Sequence, residues 1–475
     1  MYTGIYIYRN KSVIFAGIAL AVTFYNVTCR SLLIGLTSAV DTLASQNNGS
    51  GNYREVGLVL QRCIVICSLL CIPMMPVWLQ SEEIFGYLPI DKEVCIVIGV
   101  FIRARIVGLP ADIVSESYEK YLMAVGEMAI PMYSNIIIGA VIILNIVLIN
   151  VHGFGYEILA WTVVISEYVG VASQLGFSWY CKSVQRTLQP WSMDLFNDWG
   201  TFLGLALAGV GMLCSEWWAF EILTIFSSLI STEAVAAQAV IVQLSTMAYM
   251  VPLGFAITGT SLIGNSLGAG KKELAIDITR LGYILVVVLE LLMAVVIFAF
   301  GDDFVRIFAL DEQVRHTAYS IMPFLAVFTV SDGVQCFSSG VLRGAGKQDI
   351  GAVVNIFTYY TVGLPAAWYL CFHSVLGVRG LMCGISVAVV IQNIVFLSYI
   401  FGYQDSLFVS LTDETDGEVF SSMMKDENDR EKNDTNTNSD NDSDIPPESP
   451  TGIRNALVPS PLHQQSTGDI ELGTM

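Results

Sequence analysis

Successive apolar runs, each long enough to cross a lipid bilayer, govern what this 475-residue chain can become. They lie at residues 12–37, 56–79, 94–121, 129–151 and 155–180, and then at 201–230, 234–263, 276–300, 317–341, 350–374 and 378–402. About 20 residues at ~1.5 Å rise cross the hydrocarbon core as a helix. Each run is therefore read as a membrane helix, about eleven in all. With 54% hydrophobic and 14% charged residues and a mean hydropathy of +0.61, the composition excludes a soluble globular enzyme. Residues 12–28 are read as mature helix rather than signal peptide. Arg9, Asn10 and Lys11 follow an already apolar start, and no small-residue cleavage site follows them.

The net charge of -19 is concentrated at one end, since residues 403–475 hold sixteen Asp and Glu against four Lys and Arg. The tail is rich in Asp, Asn, Ser and Pro, so it cannot bury apolar surface and is expected to be disordered. Its sequons at Asn433 and Asn441 should be unused on the cytoplasmic side. Arg54, Arg62, Lys120, Lys182, Arg186, Lys271, Lys272, Arg280, Arg343 and Lys347 flank one set of alternate loops, which should be cytoplasmic. Glu82, Glu83, Asp302 and Asp303 mark the opposite side, and the alternation puts the C-terminus inside. The ten cysteines show no CxxC pair, which indicates neither a disulfide framework nor a zinc site. Cys63, Cys67 and Cys71 share one helix face and read as packing, with a redox or metal role as the alternative. Gly264 to Lys271 fails as a phosphate loop on spacing and on the missing Ser or Thr after the lysine, and reads as a tight turn. His152, His316, His373 and His463 form no ligand cluster, and no nucleophile–base arrangement is present. No catalytic residue, metal or cofactor is expected.

The chain repeats itself. A shift of 219 places Gly35, Gln46, Gly49 and Gly51 on Gly254, Asn265, Gly268 and Gly270, and a shift of 220 places Asp112 on Asp332 and Asn135 on Asn355. Two parallel halves follow, because an inward loop maps onto an inward loop. The partner of residues 201–230 would fall almost wholly before Met1. A first helix mostly absent from this sequence is therefore expected, with six helices per half in a complete molecule. The organisation reads as an N-terminal bundle at 1–180, a cytoplasmic linker at 181–200, a C-terminal bundle at 201–402 and the acidic tail at 403–475.

Within the sixth run stands Glu216-Trp217-Trp218-Ala219-Phe220-Glu221. An ionised carboxylate at mid-bilayer costs at least ~2.5 kcal/mol, so Glu216 should face a water-filled cavity, pair with a cation or stay protonated. Glu221, five residues on, points about 140° away, so one of the two should be the principal site. Trp217, Trp218, Tyr249, Tyr359 and Tyr360 are candidates to hold a flat organic cation by cation–π contact, with packing or a lipid belt as the alternative for each. Asp112 and Glu116, one turn apart, are the best acidic pair of the first half, although Glu116, Glu119 and Lys120 approach the helix end and read as solvated. Pro252 with Gly254, and Gly363 with Pro365, should weaken their helices locally.

The ordered words SAVDTLASQ, GLVLQR, ESYEKYLMAVG, EWWAFE, YMVPLGFA, GNSLGAGKKE, GVLRGAGKQDIGAVVN and YYTVGLP cover residues 12–402. Together they resemble the multidrug and toxin extrusion (MATE) family, in its eukaryotic, fungal- and plant-like branch. The resemblance implies an all-α polytopic membrane protein with two pseudo-symmetric six-helix bundles around a central cavity. It also implies an antiporter exporting organic, usually cationic, compounds in exchange for H⁺ or Na⁺, the coupling ion being the sole cofactor. On that resemblance Glu216 is the principal proton and cation site and Asp332 the cation-handling residue of the second bundle, with Glu221, Trp217, Tyr249, Tyr360 and Gln243 around them. Asp112, Glu116 and Asp41 are the secondary candidates of the first bundle. Three departures stand out: the mostly absent first helix is where bacterial relatives carry an important first-bundle aspartate, Gln243 occupies a position where some animal relatives have glutamate, and Arg30 one where the family usually has a small or apolar residue. An organic cation and the bilayer are the expected partners, with no nucleic acid, in a monomer of the plasma membrane or a vacuolar or other endomembrane. The alternatives are a lipid or lipid-linked sugar flippase, which Arg30, Arg103 and Arg105 would suit, an intramembrane enzyme, or a non-functional truncated copy.

Overall fold

A computed structural model describes residues 12–88, 90–152, 156–308 and 311–409. The acidic tail, with its expected disorder and its sequons, lies outside the described residues. Among them eleven helices are long and apolar enough to cross a membrane: α1 Ala16–Ser50, α2 Tyr53–Leu79, α3 Lys92–Ala124, α4 Ala129–Val147, α5 Glu157–Ser178, α6 Trp199–Ser228, α7 Thr232–Gly268, α8 Lys272–Phe308, α9 Glu312–Gly344, α10 Gln348–Phe372 and α11 Arg379–Gly402. Only helices satisfy every backbone N–H and C=O inside lipid without a closed barrel, which is why the apolar runs take this form. One apolar core joins α1, α2, α3 and α5 and reaches the start of α6 through Phe202 and Ala206. Two further clusters fill the C-terminal half.

All eleven predicted spans are present, but several run past their predicted ends. α1 continues from 37 to Ser50 through Thr42, Ser45, Gln46 and Asn47, which are polar yet buried. Thr42 and Gln46 are satisfied across the molecule: Thr42 Oγ1 donates to the Arg343 carbonyl at 2.5 Å, Gln46 Nε2 to the Gly344 carbonyl at 3.1 Å, and Gln348 Nε2 to Thr42 Oγ1 at 2.9 Å, while Ser45 and Asn47 donate to carbonyls of their own helix. Helix therefore persists where hydropathy alone stops it. Likewise α7 continues through Gly264 to Gly268, and the expected tight turn is confined to the residues beyond, where Gly270 takes φ 68. Asp302 and Asp303, read as loop acids, lie in the last turns of α8, with Arg306 bridging to Asp302 at 2.5 Å. α10 passes through a π-helical turn at Phe357–Gly363 just before Pro365, and α1 through another at Asn26–Arg30. α7 carries Pro252 without interruption.

The repeated segments meet each other. Asn48 Nδ2 donates to Asn265 Oδ1 at 2.7 Å, a Cβ on Gly49 would lie 2.1 Å from the Asn265 carbonyl oxygen, and one on Gly268 would lie 1.9 Å from that of Gln46. Gly49 thus packs on the repeat-mate of Gln46, and Gly268 on Gln46 itself, the reciprocity expected of a two-fold contact. Backbone approaches backbone here because neither glycine carries a side chain, the close packing that small residues permit between membrane helices. Gly268→Val forces this seam apart. The detergent-solubilised variant is expected to melt at a lower temperature, at a cost of about 1–3 kcal/mol; an unchanged melting temperature would show that the seam does not hold the halves together.

Residues 181–200 are more than a linker. Gln61 Nε2 donates to the carbonyls of Gln189 and Pro190, both at 3.0 Å, and Arg62 Nε to that of Leu195 at 3.2 Å. Arg62 is buried with Glu55 as ion-pair partner, and Lys120 is buried with Asp41 at 3.0 Å. Two of the positive charges used to orient the chain, Lys120 among them despite its solvated reading, are therefore interior partners of acids. Arg54, Lys271 and Lys272 follow within a few residues of the seam glycines, and Arg186 lies over the Tyr53 ring at 3.7 Å at the same end.

Candidate functional site

Between the halves, on the far side of the seam from Lys271, lies a cavity of about 340 Å³. α6 contributes Glu216, Trp217, Trp218 and Glu221, α7 contributes Tyr249, and α9 contributes Asp332. Opposite them, α1 supplies Asn26, Val27 and Ser31 around its π-helical turn. Both acids of α6 reach the same space. The 140° between them places them at two edges of a cavity that wraps a broad face of the helix, rather than assigning one of them elsewhere. Trp217 and Tyr249 stand on that wall with them. Gln243 and Tyr360 are not among the lining residues, although the neighbours of Gln243, Val242 and Ser245, are. Tyr359 is fully buried in the C-terminal core, and Tyr360 packs against the same cluster.

Glu216 is 9% and Asp332 5% exposed, and neither forms an ion pair among the described residues. Glu216 Oε2 accepts a hydrogen bond from Gln335 Nε2 at 3.1 Å, and the same amide donates to Ser339 Oγ at 3.2 Å. Gln335 was not anticipated, although it lies one turn from Asp332, on the same face of α9. Glu290 of α8 was missed as well. It is 1% exposed, has an unpartnered Oε1, and its carboxyl carbon lies 2.6 Å from where a Cβ on Gly333 would sit. Three carboxyls thus converge on one part of the C-terminal half, with no lysine or arginine in an ion pair with any of them among the described residues. A buried charge in lipid needs a partner or a proton, so the arrangement suits exchange between protons and a cation.

The N-terminal acids are built differently. Asp112 Oδ1 accepts from Arg30 Nη1 at 2.6 Å, and its Oδ2 from Tyr25 Oη at 2.6 Å and Arg105 Nη2 at 3.0 Å. Arg30 also pairs with Glu116 at 2.9 Å, Arg105 pairs with Glu167, and the Arg105 guanidinium lies 4.1 Å from the centre of the Tyr25 ring. Glu116 is therefore not a solvated end residue, and Arg30 has a place as the counter-charge shared by Asp112 and Glu116. Asp41 is held by Lys120. None of Asp41, Asp112 and Glu116 lines the cavity.

The MatE family model matches residues 3–150 and 210–369, taking in the α1, α6, α7 and α9 segments that form the cavity. The chain belongs to this family. Human multidrug and toxin extrusion protein 1 is 33% identical over 384 residues, which cover 81% of this chain and 67% of that protein. Mouse multidrug and toxin extrusion protein 2 is 35% identical over 390 residues, with the same coverage. The crystal structure of the eukaryotic MATE transporter AtDTX14 superposes with a TM-score of 0.78 at 26% identity, covering 84% of this chain and 90% of that one. This MATE protein is accordingly an integral multi-pass transporter of the multidrug and toxin extrusion type, not an enzyme, with two pseudo-symmetric helix bundles around a central cavity.

Proposed function

We propose that the chain exports organic cations in exchange for protons by alternating access. The observation that carries this reading is the presence of Glu216 and Asp332, neither in an ion pair among the described residues, on the wall of one aromatic-lined cavity between the halves. Ionised, the two acids attract a cation. Protonated, they release it, because the attraction that held it is gone. A flat aromatic cation gains about 2 kcal/mol from a desolvated ring face, which Trp217 and Tyr249 offer. Taking the end rich in Arg and Lys as cytoplasmic, the seam closes that side and the cavity belongs to the outward-facing state. The two conformations need only differ in affinity for proton and cation.

A flippase reading would use arginines to bind lipid phosphate. Arg30 and Arg105 are instead held by Asp112, Glu116 and Glu167, and Arg103 by Glu82. The test is ethidium uptake by liposomes containing the full chain. An acidic lumen should drive accumulation, and a protonophore should abolish it. Accumulation that follows a Na⁺ gradient alone would replace the proton by sodium, and accumulation indifferent to both gradients would sink antiport altogether.

A further inference from the structure

Arg343 lies near the end of α9, and its side chain has no hydrogen bond or ion pair among the described residues; Nε is buried without a partner. Its interaction with Thr42 runs through the backbone carbonyl alone. Asp332, Gln335, Ser339 and Arg343 are spaced i, i+3, i+7, i+11 and so occupy one face of α9. Along that face the hydrogen bonds run from Glu216 to Gln335 and on to Ser339. Below the main cavity a second one of about 20 Å³ is lined by Glu216, Tyr249, Ser339 and Arg343, with Gly35 and Ser38 of α1 opposite. That volume holds about one water molecule. Glu216 stands on the boundary between the two cavities, with the substrate space on one side and a guanidinium on the other.

We infer that Arg343 is the resident counter-cation of Glu216, taking the place of the transported cation when the cavity is empty and Glu216 has no proton. This rests on the proposed role of Glu216 and adds the device that lets the empty carrier exist. A carboxylate in lipid with neither proton nor partner is costly, and Arg343 supplies a partner from the seam side while leaving the substrate side open. It is a positioning residue and does not touch the substrate. Because it competes with the substrate for the same carboxylate, its removal should strengthen substrate binding, a sign opposite to that of any structural damage.

The experiment measures ethidium binding to the detergent-solubilised full chain by fluorescence anisotropy. Arg343→Gln is expected to lower the Kd about fivefold or more, the size of a typical coupling between two sites. Arg343→Lys, which keeps the charge, should bind as the wild type does. In a Glu216→Gln background, Arg343→Gln should change nothing. Unchanged or weaker binding by Arg343→Gln would overturn the inference, as would equal tightening by the Lys variant, or tightening that survives Glu216→Gln. If Arg343→Gln does not accumulate, the Lys variant decides, since altered binding with the charge retained is incompatible with the role. Wild-type binding that ignores Glu216→Gln would instead overturn the role proposed for Glu216, and the counter-cation with it.

Discussion

Glu216→Gln is expected to abolish proton-driven ethidium uptake while leaving the protein folded. Glutamine keeps the shape of the side chain and can still pair with Gln335, so the hydrogen bond at 3.1 Å has a replacement. What disappears is the negative charge. A unit charge pair at 4 Å is worth about 4 kcal/mol at an effective dielectric constant of 20, roughly a thousandfold in Kd. Desolvation of the pair takes back part of this, which leaves a loss on the order of a hundredfold. Asp332→Asn removes the second acid of the same wall and should act in the same direction, and the double variant should lose less than the sum because both charges serve one ligand. Initial uptake rates in liposomes, set against the amount of incorporated protein, provide the measurement. Full-rate transport by either single variant would remove that acid from the mechanism.

Asp112→Ala should damage the fold rather than the chemistry. Asp112 is 2% exposed and accepts hydrogen bonds from Arg30, Arg105 and Tyr25. Alanine leaves the buried Arg105 with Glu167 alone and deprives Arg30 of its closest partner. Breaking a buried ion pair from one side costs about 3–5 kcal/mol, so the variant should melt far below the wild type in detergent and accumulate poorly. Glu116→Gln should lie close to the wild type, since Arg30 is partly exposed and keeps Asp112. Equal melting temperatures for Asp112→Ala and the wild type would show that water replaces the lost carboxylate.

Much of this was legible in the chain because lipid imposes a simple rule. Apolar runs became spans, and an acid in the middle of one, Glu216, became a cavity residue. The same rule applies to Glu290, an acid in the middle of the apolar run VVVLELLMAVV. The repeat was readable from Gly49 and Gly268, but not that the two copies touch each other, since spacing says nothing about which faces meet. Partners contributed by other helices were hidden for the same reason. Nothing local to Arg30 announces Asp112, 82 residues away, and nothing local to Gln335 announces Glu216, 119 residues away. The polar stretch from Ser38 to Asn48 reads as the end of a helix, because the partners of Ser38, Thr42, Gln46 and Asn48 in the other half are invisible locally.

In the alternating access proposed above, the seam that closes one end of the cavity would also set how that end opens. The polar contacts that fasten it run from Thr42 to the Arg343 carbonyl, Gln46 to the Gly344 carbonyl, Gln348 to Thr42 and Ser38, Asn48 to Asn265, Ser261 to the Met123 carbonyl and Asn265 to the Ala124 carbonyl. Each has a net worth of about 1 kcal/mol, because water takes over when it breaks. The total is on the order of the ~5.5 kcal/mol that inverts a two-state population from 1:99 to 99:1. Reciprocal glycine contacts cannot part on one side alone without jamming backbone against backbone on the other. In the proposed alternating access, the closed end would act as a single latch, of a strength that a bound ion or molecule can tip, with its two symmetric contacts parting together.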